Sequence, residues 1–228
     1  MICFADFQEK NEGCPRGEGT SPLEKNVIDI IYINKNSRRK QTMRKNLGAK
    51  PILYPMPVLI IGTYASDGTP DAMNAAWGGI SEEAEISICI SANHKTTENI
   101  LKKKAFTVSI ADEKNVVAAD YVGVVSGNKE ADKIKKANWH ASKSEFVDAP
   151  LFDELPLALE CKLKSYDNES CRLVGEIVNV CADEKIVDAD GKIDLSKFVP
   201  IVFDPVNNTY NKIGEVVGKA FSDGLKLK

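Results

Sequence analysis

From Pro51 onward this chain is a series of short β-branched segments separated by turn signals, and that rhythm restricts its fold more than any other feature. Residues 58–65 (V-L-I-I-G-T-Y-A) form a continuous apolar run that ends in Ser66-Asp67-Gly68, a tight-turn signal. Residues 69–81 read as the return arm, broken at Gly78-Gly79. In residues 85–91, Ile86, Ile88 and Ile90 alternate with Ser87, Cys89 and Ser91, the period of a half-buried strand. Residues 106–110 add a strand, 157–166 and 172–182 a hairpin around Asp167-Asn168-Glu169, and 201–203 a last strand. Helical patterns are few: 97–104, 115–122 capped by Asn115, 129–137, and a terminal stretch at 215–221. Many short strands with little helix between them predict a mainly β fold with short helices (α+β), closed into a barrel that hides its strand edges.

The 228 residues suffice for one generous domain whose core needs no disulfide support. Residues 1–42 stand apart: 11–19 are polar, rich in Gly and Pro and without periodicity, and 27–33 hold a single apolar patch. We expect 1–42 to be a disordered or atypical extension and 43–228 to be the folded domain. Lys+Arg 30 against Asp+Glu 33 gives a net charge of -3, which argues against a nucleic-acid surface. The concentrated basic run, Arg38-Arg39-Lys40, lies in the leading segment. The six cysteines show no C-x-x-C or paired metal spacing, and two histidines cannot build a His-rich centre, so no metal is expected. No apolar run approaches the roughly 20 residues that span a membrane. Residues 1–6 lack a charged stretch followed by an apolar one, so no secretory signal is read. A soluble cytoplasmic protein with reduced thiols is the expectation.

Two stretches carry chemistry. After the strand at 85–91 the chain breaks at Ala92-Asn93 and fills with short polar groups just before a helical pattern. A helix N-terminus presents unpaired N–H groups and partial positive charge. Lys95, the Thr96 and Thr97 hydroxyls and the Asn93 amide at that point suit a phosphate monoester, although Thr and Asn before a helix also serve as plain caps. The second stretch is Asn74-Ala75-Ala76-Trp77, followed by two glycines. Small residues around one Asn and one Trp let a flat aromatic ligand approach the backbone, or else pack tightly in a barrel with Trp77 as ordinary core. Lys102-Lys103-Lys104 reads as a solvated helix face, Asp132-Lys133 as an exposed helical charge pair, and His140 as a structural or surface histidine.

In chain order, Pro55-Met56-Pro57-Val58, the turn Asp67-Gly68, Asn74-Ala75-Ala76-Trp77, the stretch from Ser91 through Asn93-His94-Lys95-Thr96-Thr97 to Asn99-Ile100, and Ala105-Phe106-Thr107-Val108-Ser109 resemble the flavin reductase-like, FMN-binding split-barrel family. The similarity is greatest to its flavoredoxin-type branch, whose closing segment is similar to Tyr210-Asn211-Lys212-Ile213-Gly214 and the residues after it. The resemblance implies a split β-barrel homodimer with one FMN per subunit near the interface. It implies that the Asn74, Ala75, Ala76 and Trp77 backbone lines the isoalloxazine, while Ser91, Asn93, Lys95, Thr96 and Thr97 hold the phosphate. His94 and Asn99 would support the loop; the family often carries Arg or a second hydroxyl where this chain has His94. The segment 126–133 also resembles a family stretch near the flavin.

Because a flavin carries its own redox chemistry, no catalytic side chain is nominated. The implied function is an FMN-dependent oxidoreductase or electron-transfer protein passing electrons from a reduced donor to a small acceptor or redox partner. Two alternatives stand beside it: an NAD(P)H:flavin reductase releasing reduced flavin, and a non-catalytic FMN-binding module.

Overall fold

A computed structural model describes residues 43–228. These fall in two units. Residues 43–51 are exposed and without regular structure. The other unit, from Ile52 to Lys228, holds every strand and helix described below. The extension at 1–42, with its apolar patch and basic run, lies outside the described residues.

In chain order the strands are β1 (Met56–Pro57), β2 (Leu59–Tyr64), β3 (Pro70–Ala75), β4 (Gly78–Glu82) and β5 (Glu85–Cys89). Helix α1 (Lys95–Lys103) and β6 (Ala105–Ile110) follow, then α2 (Val116–Val124) and the single turn α3 (Lys133–Lys136). β7 (Ala141–Lys143) and β8 (Pro150–Phe152) precede the long hairpin β9 (Leu157–Asp167) and β10 (Arg172–Ala182), and β11 (Ile201–Asp204) and β12 (Thr209–Lys212) come last.

Seven strands make one antiparallel sheet in the order β3-β2-β6-β9-β10-β5-β4. Its two edge strands, β3 and β4, are joined by Ala76 and Trp77 alone. Three residue steps reach at most about 11 Å, so the edges are drawn together and the sheet curls into a half-barrel. Such curling needs local relief. β10 supplies it with register shifts at Val174/Gly175 and Ile177/Asn179 against β9. At Gly175 the Phe106 ring occupies the space a Cβ would need.

The apolar runs are continuous because both faces of the sheet are covered. Leu59 and Ile61 of β2 point into one core with Ile86, Ile88, Phe106, Val108 and Leu173. Ile60 points the other way, into a second core with Ala119 and Val122 of α2, Ile134 of α3, Trp139 and Phe152. Helix α1 seats Ile100 in the first core, and Asn99 donates from Nδ2 to Thr63 Oγ1 at 3.1 Å. The helix ends where Lys104 takes a left-handed conformation, φ 58°.

The strands lie close to where the sequence placed them; the helices differ. The break in the arm after β3 falls at Ala76-Trp77, and the two glycines sit inside β4, because the chain must cross from one sheet edge to the other before it can pair again. α1 begins two residues earlier than the pattern indicated. Asn115 precedes α2 without capping it, since its amide donates to Asp112 and to the Glu154 carbonyl; Asp112 caps the short turn before the helix instead. The helix expected at 129–137 shrinks to α3, and 215–221 is not helical. Glycines at 214 and 218 favour extended chain there. Among the described residues no helix is long and apolar enough to cross a membrane.

Candidate functional site

The loop between β5 and α1 is built from the helix backward. His94 occupies the N-cap position with extended backbone and makes no side-chain cap bond. The first turn of α1 therefore keeps its amide donors without a side-chain acceptor. The loop itself is tightened by short bonds: the Ser91 carbonyl accepts from the His94 N–H at 3.3 Å and from the Thr97 hydroxyl at 2.7 Å. Thr96, Thr97 and Asn99 are all buried. Their side chains are engaged inside the molecule, with the Thr96 hydroxyl donating to Asp71 Oδ2 at 2.7 Å.

Facing this helix start is a cleft of about 360 Å³, within the range of ligand pockets. Asn93, His94, Lys95 and Thr96 line one side, and the end of α2 with the loop through Ser126, Gly127 and Lys129 lines the other. Lys133 closes the floor. The lining contains three lysines and no carboxylate. His94 Nε2 is buried without a hydrogen-bond partner among the described residues. Burial pushes its imidazole below the ordinary value of 6.5, the Lys133 charge adds to this, and Asp71 opposes it.

Lys133 corrects the sequence reading most sharply. It is 3 % exposed and pairs with Asp71 at 2.9 Å rather than standing in a surface pair with Asp132. It also donates to the Val125 carbonyl at 3.2 Å. α3 is one turn long, so its first residue is steered by what it meets, here a buried carboxylate on β3. Gly127 permits this arrangement: a Cβ there would stand 2.6 Å from Asp71 Oδ1 and 3.2 Å from Lys95 Cβ.

The second candidate stretch meets the same helix from the other side. Asn74 is buried and donates from Nδ2 to the Ala119 carbonyl of α2 at 3.1 Å, with the Tyr210 hydroxyl at 3.5 Å. Tyr210 donates to Asp120 at 2.8 Å, and burial together with that bond raises its phenol. Ala75 is buried in the sheet, Ala76 packs against the α2 side, and Trp77 is 37 % exposed. Thus Asn93, His94, Lys95 and Thr96 share one cleft, and Asn74 touches the helix whose end walls it. Ser91, Thr97, Asn99 and Ala75 to Trp77 are not among the residues lining that cleft. Of the wall from Val122 to Lys129, the part from Ser126 onward lies in the segment whose resemblance was noted above, and the part before it carried only the signal of Gly123. His140 lies on the surface against Glu154, and Lys102 bonds Glu98 on the solvated side of α1.

Comparison with known proteins adds to this geometry. Residues 52–197 match the family described as flavin reductase like domain. The flavoredoxin of Desulfovibrio vulgaris (Miyazaki F) is 38 % identical and superposes with a TM-score of 0.76 over 80 % of this chain and 100 % of that one. Flavoredoxin from Methanosarcina acetivorans is 26 % identical, with a TM-score of 0.74 over 82 % of this chain and 100 % of that chain. A flavin reductase with a split barrel domain from Shewanella frigidimarina NCIMB 400, 19 % identical at a TM-score of 0.62 over 73 % and 86 % of the two chains, shares the fold.

Proposed function

The chain belongs to the flavin reductase like domain family, and from that premise we propose that it is an FMN-binding redox protein of the flavoredoxin type, acting as a homodimer in the cytoplasm. The observation that carries the choice of a phosphorylated flavin is the cleft at the uncapped start of α1, with three lysines and no carboxylate in its lining. A phosphate there meets amide donors, the helix dipole and charge-assisted bonds together. The orphaned His94 Nε2 supplies one more polar contact for such a ligand. The flavin ring itself supplies the hydride or electron transfer when bound. The chain's part is to hold the phosphate at Asn93 to Thr96, the residues of this loop that line the cleft, and to offer the small-residue stretch Asn74 to Trp77 to the ring.

The dimer reading draws on apolar surface left uncovered. α2 is apolar around most of its circumference, yet Val117 and Val124, seven residues apart and on one face, are exposed. Val216, Val217 and Phe221 of the terminal segment are exposed as well. A second copy covering these would complete the pocket.

The visible spectrum of the purified protein, taken before and after anaerobic NADH, tests the proposal. Flavin absorbance retained after removal of excess FMN is expected. Bleaching by NADH identifies direct nicotinamide oxidation, and persistence of the oxidised spectrum identifies a carrier reduced by another protein. A protein that stays colourless after incubation with FMN overturns the reading.

A further inference from the structure

Lys133 is a nine-tenths-buried cation whose surroundings leave one hydrogen-bonding position open. An ammonium has three N–H groups. Asp71 Oδ1 stands 2.9 Å away as its ion-pair partner, and the Val125 carbonyl accepts a hydrogen bond from it at 3.2 Å. No third partner is found among the described residues, and the residue lines the cleft at the start of α1. In the same cleft His94 Nε2 is buried and unpartnered. The two are near enough for Lys133 to act electrostatically on the imidazole.

Asp71 makes the position consequential. Its second oxygen accepts from Thr96 in the first turn of α1, so one carboxylate separates the ammonium from the helix start. A carboxylate at a helix N-terminus occupies the place an anionic ligand would take, and alone it would repel that ligand. Lys133 pairs with it and lines the cleft.

Building on the flavin reading above, we propose that Lys133 is the residue that sets preference for phosphorylated over unphosphorylated flavin, by cancelling Asp71 and donating its third N–H to the phosphate. His94 Nε2 provides the neighbouring contact.

The experiment compares dissociation constants for FMN and riboflavin, by flavin fluorescence quenching, in wild type, Lys133→Met and the double variant Asp71→Asn/Lys133→Met. The double variant removes both buried charges, which proteins tolerate better than an unpaired one, so it stays informative if the single variant does not fold. The ratio of the riboflavin constant to the FMN constant should fall at least tenfold in Lys133→Met, where Asp71 is left uncompensated, and by less in the double variant. Riboflavin binding should move less than twofold. A ratio unchanged in both variants, or equal weakening of both ligands, overturns the role of Lys133 and leaves a purely structural ion pair. Wild type that binds both flavins equally overturns instead the phosphate reading beneath it.

Discussion

At the scale of single residues, the site is a contest between groups already engaged and groups still available. Thr96 and Thr97 have given their hydroxyl protons to Asp71 and to the Ser91 carbonyl, whereas Lys95, among the described residues, pairs with Glu98 alone, at 3.3 Å on a part-exposed surface. Such a pair is worth at most about 1 kcal/mol, so Lys95 can turn to a ligand at little loss. Lys95→Ala should therefore weaken FMN binding by roughly 1.5–3 kcal/mol, the range for a charge-assisted bond, with the melting temperature of the free protein nearly unchanged. Titration calorimetry showing unaltered affinity in a folded variant would remove Lys95 from the site. The two histidines move stability in opposite directions. His94 has a folded pKa below its usual 6.5, so the stability it contributes is present above that value and is lost as pH falls through the folded pKa. His140, raised by its bond to Glu154, contributes below 6.5 and loses that contribution as pH rises. His94→Gln should flatten the acid side of the melting-temperature profile below the ordinary imidazole value of 6.5, and an unchanged acid limb would show the imidazole to be unlinked to folding. Cys161 is silent by comparison. Burial first, then Glu160, pushes its thiol up to about 12, so a thiol reagent should reach it only on unfolding, as mass-spectrometric mapping of labelled peptides would show.

At the scale of elements, the long strands and the helices α1 and α2 were legible, and the helices expected at 129–137 and 215–221 were not, for a physical reason. A strand's face is set every second residue, and Ile86, Ile88 and Ile90 announce it without help from the rest of the fold. β12 escaped notice because Thr209, Asn211 and Lys212 are polar and only Tyr210 anchors it. Lys133 was misread because a four-residue helix has no periodicity of its own, and the carboxylate that captures it lies sixty-two positions away. The ligand reading proposed for the loop at 91–99 rests on its order in the chain; local chemistry alone allowed a plain cap. The curl of the sheet is testable at Gly175. Alanine there would collide with the fully buried Phe106, and overpacking of this kind costs about 1–3 kcal/mol. Urea denaturation should show a lower midpoint with an unchanged m-value, and an unshifted midpoint would mean that the bulge yields freely.

At the scale of the whole molecule, the family match begins at residue 52, and the sheet, both cores and the cleft are assembled from residues beyond that point. Removal of residues 1–42 should accordingly preserve both FMN binding and the dimer. Size-exclusion chromatography with light scattering decides it: a monomer after truncation would give the leading segment a part in the interface. One feature of the sheet reaches further. Among the described residues β3 and β4 are each hydrogen-bonded to a neighbour strand on one side only, and Ala76-Trp77 links them directly across the line where they meet. That line is a seam, and Asn74 to Trp77, the stretch assigned to the flavin ring, runs along it. A ligand resting there would act as a clasp: its release and the loosening of the half-barrel become one event. Amide protons of β3 and β4 should then be the first in the sheet to exchange with deuterium, and bound flavin should slow exchange along this seam more than at the β9–β10 hairpin on the far side of the sheet.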